Sequence, residues 1–148
     1  MADLGAALRQ HESIGLDTPI FIYHIEGTTQ LAGLAGVALD ELAGGAFTGV
    51  TSVLTLMEIA VRPLQMRRPD VAEEYEVLLA NYPNLVIAAL DRPTVRRAAE
   101  LRAEYRLRPA DALQVAACLE QGATAFLSND RELRRITHLQ VWMIEDFV

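Results

Sequence analysis

The sequence predicts an α/β protein, a three-layer sandwich on a central parallel sheet of about four to five strands. Three observations carry this. Short β-like runs alternate with helical patterns along all 148 residues, and strands separated by helices pair in parallel with crossover helices on both faces. The chain is 51% hydrophobic, enough for a buried sheet and too much for disorder. It has no internal repeat, low-complexity tract or linker-like stretch, so residues 1–148 read as one domain.

The elements follow in order. "MADLGAALRQHE" (1–12) reads as a helical extension ahead of the first strand, "SIGLD" (13–17). In "TPIFIYHIEG", Thr18 caps a helix, Pro19 suits its first position and Gly27 stops it. "TTQLAGLAGVALDELAGG" is a second helix closed by Gly44 and Gly45, and "AFTGVT" (46–51) is a strand. "SVLTLMEIAVRP" is a helix capped by Ser52 and ended near Pro63. "PDVAEEYEVLLANYP" is helical, with Val71, Tyr75, Leu78, Leu79 and Tyr82 at helical spacing. "NLVIAAL" (84–90) is a buried strand. "DRPTVRRAAELRAEYRL" is an amphipathic helix, and Arg92, Arg96, Arg97, Arg102, Arg106 and Arg108 recur along it. "RPADALQVAACL" (108–119) opens a nearly all-apolar helix that carries Asp111 in its first turn. "ATAFL" (123–127) is a strand, "DRELRRI" a short helix and "LQVWMI" (139–144) the last strand.

Composition excludes several chemistries. All 13 basic residues are Arg. Without Lys there is no P-loop, no Schiff-base or pyridoxal chemistry and no protein kinase. A dinucleotide-binding G-x-G-x-x-G is absent. The net charge of −7 argues against broad duplex binding through a basic surface. It leaves room for a nucleic-acid enzyme, because a bound divalent metal and a local Arg cluster offset acids at one site. The single cysteine, Cys118, supports neither an internal disulfide nor a multi-cysteine zinc site. No apolar run reaches the ~20 residues of a membrane span, and the N-terminal stretch lacks the order of a secretory leader. The expected class is a soluble, cytoplasmic protein with no membrane partner.

Open parallel sheets bind ligands at the carboxyl ends of their strands. Asp17 ends the first strand, Asp111 opens its helix and Asp130 follows "FLS". Glu58 lies in a helix among Leu56, Met57, Ile59 and Ala60, where an unpaired buried carboxylate is costly. Each acid alone has a simpler reading. Asp17 and Asp130 suit turns or caps, Asp111 complements a helix dipole, and Glu58 can pair with Arg62 at i+4. Four acids converging on one sheet edge are harder to explain that way. Clustered carboxylates repel and raise one another's pKa. A hard divalent cation, Mg²⁺ or Mn²⁺, resolves this with oxygen ligands and suits substrate phosphates. The chemistry that fits is metal-assisted attack of water on a phosphodiester.

The order Asp17…Glu58…Asp111…Asp130 resembles the PIN-domain nucleases, most closely the VapC-type toxins of toxin–antitoxin pairs. The matching stretches are "LDT", "TSVLTLMEIA", "PADALQVAACL" and "LSNDREL", over roughly residues 13–144. The resemblance implies a metal-dependent endoribonuclease in which Asp17, Glu58, Asp111 and Asp130 hold Mg²⁺ or Mn²⁺. It further implies that Thr18, Ser128 and Asn129, with Thr51, Ser52 and Thr55, orient carboxylates or waters. A homodimer and an inhibitory antitoxin that covers the acidic groove are implied as partners. The extension over residues 1–12 and Pro19 after the "DT" step depart from the family pattern.

Arg131, Arg134 and Arg135 lie nearest the acids and are the candidates for RNA phosphate contacts. His24 lies about one turn beyond Asp17; His11 and His138 read as structural, as do Cys118 and Trp142. Two alternatives remain: a PIN-like module that binds RNA or protein without cleaving, and a Mg²⁺-dependent phosphatase with Asp17 as nucleophile. The second lacks the expected D-x-D, since Pro19 occupies that position, and lacks a Lys.

Overall fold

A five-stranded, all-parallel sheet runs through a computed structural model that describes residues 3–148. Its strands are β1 (Ser13–Leu16), β2 (Thr48–Ser52), β3 (Leu85–Ala88), β4 (Ala125–Ser128) and β5 (Gln140–Met143), in spatial order β3-β2-β1-β4-β5. β1 is central, with Gly15 opposite Val50 on one side and Phe126 on the other. Of the expected extension, residues 1 and 2 lie outside the described residues. Helix α1 (Leu4–Leu8) forms within the rest.

The helices are α2 (Thr18–Glu26), α3 (Gln30–Ala43), α4 (Val53–Gln65), α5 (Pro69–Ala80), α6 (Arg92–Tyr105) and α7 (Pro109–Glu120). Strand alternation divides the core. Ile14, Leu16, Ala125 and Leu127 face a cluster with Leu8, Ile20, Leu39, Leu42 and Ile59 from α1 to α4. Val50 and Phe126 face the other cluster, with Ala98 and Leu101 of α6 and Val115 and Cys118 of α7. No described helix is long and apolar enough to cross a membrane.

Close approach of α7 to the sheet depends on Gly15. A Cβ there would lie 2.5 Å from Phe126 Cδ1 and 2.7 Å from Cys118 Sγ. Gly15→Ala is therefore expected to destabilise the fold by roughly 1–3 kcal/mol through overpacking. Urea unfolding would show this as a lower midpoint with little change in slope.

Several local expectations need correction. The cap of α2 is Asp17, not Thr18, which takes the first helical position instead. α4 runs through Pro63 to Gln65; the proline lacks the amide that would bond the Ile59 carbonyl, and the helix ends two residues later. β3 is an edge strand, and Val86 is 37% exposed rather than buried. On α5 the buried residue is Leu79, whereas Leu78 is 46% exposed. Arg106 and Arg108 are not on α6, because Arg106 ends that helix in the left-handed conformation at φ 56°. The "DRELRRI" segment is a short 3₁₀ helix over Arg131–Arg135.

Candidate active site

The chain leaves β1 for β2 on one side and reaches β4 on the other, so strand order reverses at β1/β4. Such a reversal opens a crevice beyond the carboxyl ends of the two strands. Asp17 directly follows β1, and Asp130 follows β4 by two residues. α7 runs back along the sheet, and its first turn carries Asp111 at the same edge. α4 begins where β2 ends and carries Glu58 in its second turn.

Asp17 is the most constrained of the four. Only 9% of it is exposed. One carboxylate oxygen, Oδ1, accepts from the Thr18 amide at 2.9 Å. The other, Oδ2, accepts from the Ser128 hydroxyl at 2.6 Å. Ser128 Oγ also accepts from the Asp130 amide at 3.1 Å, so one hydroxyl ties the Asp17 carboxylate to the backbone of Asp130. Burial pushes the Asp17 pKa up to about 6 from 3.8. The bonds from Ser128 and Thr18 oppose this rise, while the negative charges of Asp111 and Glu58 add to it.

Glu58 is exposed, contrary to the expectation of a buried carboxylate, because α4 turns this position toward the open edge. A buried hydrogen-bond chain holds it. Glu58 Oε1 accepts from Thr18 Oγ1 at 2.9 Å. Thr18 has one hydroxyl proton, so its 2.8 Å contact with Thr55 Oγ1 requires Thr55 to donate. Thr55 must then accept from Thr51 Oγ1 at 2.8 Å and from Gln114 Nε2 at 2.9 Å. Gln114 Nε2 also donates to Thr51 at 3.2 Å, and its carbonyl accepts from Ser52. Every hydroxyl proton in this chain is assigned once Glu58 is ionised, and the donors run from Gln114 to Glu58. The i+4 alternative is absent: Arg62 bonds Glu26 at 3.4 Å.

Asp111 and Asp130 share one partner. Arg108, the residue before α7, donates through Nε to Asp111 and through Nη2 to Asp130, each at 3.0 Å. Asp130 Oδ1 accepts from the Glu132 amide at 3.0 Å and caps the 3₁₀ helix. Asn129 donates to Tyr23 Oη at 3.1 Å, and its buried Oδ1 has no partner among the described residues. Arg131, Arg134 and Arg135 pair with Glu145, Asp146 and Glu132, so these three guanidinium groups have acids of their own at the surface.

As placed, no three His, Cys, Asp or Glu side chains among the described residues close on a single point. The acids are linked in pairs instead: Asp17 with Asp111 and Glu58 through their fields, Asp111 with Asp130 through Arg108. The donor set is all oxygen and carries four carboxylates. That chemistry fits a hard, hydrated divalent cation better than zinc.

The PIN domain family model matches residues 14–139. The chain belongs to the PIN-domain family. This PIN domain is similar in fold to the chains of several solved complexes. One is VapBC2 from Rickettsia felis bound to a promoter DNA fragment, at TM-score 0.70 and 18% identity over 88% of this chain and 98% of that one. Another is a toxin–antitoxin complex from Klebsiella pneumoniae, at TM-score 0.68 and 20% identity, covering 88% and 97%. FitAcB from Neisseria gonorrhoeae gives TM-score 0.69 and 16% identity, covering 89% and 98%. No curated protein matches the chain in sequence.

Two polar residues of this PIN domain escape a reading of the sequence. Gln114 is 3% exposed and is the hub of the hydroxyl chain. Arg108 bridges two of the acids. The available signal for Gln114 was its place in "DALQVAACL", a single amide in an apolar helix that must find partners if buried. His24 is exposed on α2 and has no side-chain partner among the described residues. His138 does have an acidic partner, Glu104 at 3.0 Å, brought from a distant part of the chain. His11 bonds Thr124 at 2.7 Å and packs edge-on against Trp142.

Proposed function

We propose that this PIN domain is a Mg²⁺- or Mn²⁺-dependent endoribonuclease that acts in the cytoplasm as the toxin of a toxin–antitoxin pair. The observation that carries the reading is Asp17. A carboxylate is buried at the switch point of the sheet, against the like charges of Asp111 and Glu58. That arrangement costs folding free energy, and no cation among the described residues offsets it. Asp17, Glu58, Asp111 and Asp130 would hold the metal, which when bound supplies an acidified water and charge stabilisation at the scissile phosphate.

The chain's own residues do the positioning. Ser128 and the Thr18 amide fix both oxygens of Asp17. Thr18, backed by Thr55, orients Glu58. Asn129, held by its bond to Tyr23 Oη, is the further polar group we assign to orienting carboxylates or waters. RNA is the substrate we assign.

The complexes of VapBC, FitAcB and the Klebsiella pair support an antitoxin partner, and the surface suits one. A cleft of about 590 Å³ lies beside Glu58, lined by Ile22, Ile25, Ile59, Pro63 and Tyr75. The outer face of α4 exposes Val53, Met57, Val61 and Leu64, at 41–58%. Apolar surface of this kind serves an antitoxin segment and a homodimer contact. The proposed activity is tested by incubating purified protein with a mixed RNA pool in Mg²⁺ or EDTA. Cleavage in Mg²⁺ that EDTA abolishes is expected; intact RNA in both would leave a binding module.

A further inference from the structure

The guanidinium of Arg108 occupies the position of a cation between Asp111 and Asp130. It reaches Asp111 Oδ2 and Asp130 Oδ2 at 3.0 Å each, acids 19 residues apart in sequence and delivered by α7 and β4. The contact is at the rim: the Arg108 side chain is 76% exposed, against 23% for Asp111 and 25% for Asp130. Exposed ion pairs of this kind are weak, so this bridge is easily opened. The neighbouring cations Arg131, Arg134 and Arg135 are held on Glu145, Asp146 and Glu132.

We propose that Arg108 is a built-in competitor for the metal and, once displaced, a phosphate ligand for the RNA. This rests on the metal-site reading above. The oxygens that accept from Arg108 belong to two of the four proposed ligands. A guanidinium on them lowers the negative charge that attracts a divalent ion and blocks two of its donor atoms. When a divalent ion takes those oxygens, Arg108 loses both partners at once. Its long exposed side chain is then left at the mouth of the crevice, with a planar fork of donors suited to a phosphodiester oxygen. The same residue thus keeps the acids paired in the metal-free protein and adds positive charge where substrate enters.

The test is calorimetric titration of Mn²⁺ into the wild type and Arg108→Ala without RNA, followed by RNA cleavage kinetics at saturating Mn²⁺. Because Arg108 is exposed, unchanged unfolding temperatures are expected. Removing a competitor should tighten Mn²⁺ binding by roughly threefold to tenfold, the scale of two surface ion pairs. Removing a phosphate contact should raise KM by about tenfold with a smaller change in kcat. A purely structural role predicts weaker metal binding, the opposite sign. Equal or weaker Mn²⁺ binding by Arg108→Ala overturns the competitor role, and an unchanged KM overturns the phosphate role. If neither protein binds Mn²⁺ up to millimolar concentration, the metal-site reading itself fails.

Discussion

Asp17→Asn is expected to abolish RNA cleavage while making the metal-free protein more stable at neutral pH. The loss of activity follows from removing the most buried of the proposed ligands. Metal-borne charge stabilisation is worth several kcal/mol, so a fall of roughly 10³-fold or more is expected. The gain in stability follows from the pKa. Folding raises the Asp17 pKa from 3.8 to about 6. The folded state therefore binds its proton more tightly than the unfolded chain. Its contribution is fully favourable below about pH 4 and is lost as pH rises through about 6. Above that, the ionised group disfavours folding by about 3 kcal/mol. Asn keeps an acceptor for the Thr18 amide and carries no charge to desolvate. Its advantage over the wild type should grow between about pH 4 and 6 and level off above. Thermal unfolding at several pH values in EDTA would show it; an unchanged or lower stability at pH 7.5 would contradict the proposed burial of charge.

Gln114→Met should be the most destabilising of the polar substitutions. Met keeps the volume and removes both hydrogen-bonding ends. Ser52 then loses the acceptor for its proton, and Thr51 and Thr55 lose a donor, all three inside the fold. Leaving buried polar groups unpaired costs about 1–3 kcal/mol. For a chain of this length that lowers the unfolding temperature by roughly 3–10 °C. The same substitution frees Thr55 and so loosens the Thr18 bond to Glu58. A loss of roughly 10-fold or more in Mn²⁺ affinity or activity is the expected readout for such a supporting group. Loss of stability with Mn²⁺ binding unchanged would separate Glu58 from the network.

The parallel sheet, its helices and the acids at its edge were legible because each has a local signature. Runs of β-branched and aliphatic residues alternate with helical spacing, and Asp17, Asp111 and Asp130 stand at strand ends or helix starts. What was not legible depends on contacts between distant segments. Whether β3 is central or at an edge is decided by strand order, which no local pattern encodes. The same holds for Glu58, whose neighbours in sequence are apolar but whose side chain meets solvent and Thr18. Arg131, Arg134 and Arg135 looked available because Glu145 and Asp146 come from the far end of the chain. Arg108, ahead of a proline and a helix, reads in sequence as one more of the arginines that recur along the preceding helix; only β4 brings Asp130 to it.

The central claim is that the four acids form a divalent-cation site organised by Asp17. Its most direct test is the unfolding temperature of the wild type and Asp17→Asn as Mn²⁺ is raised in the absence of RNA. Binding to the folded state alone stabilises by about 2.7 kcal/mol at one hundred times Kd. The wild type should therefore rise steadily with Mn²⁺ and the variant should stay flat. A flat wild type, or an equal rise in both proteins, would contradict the claim.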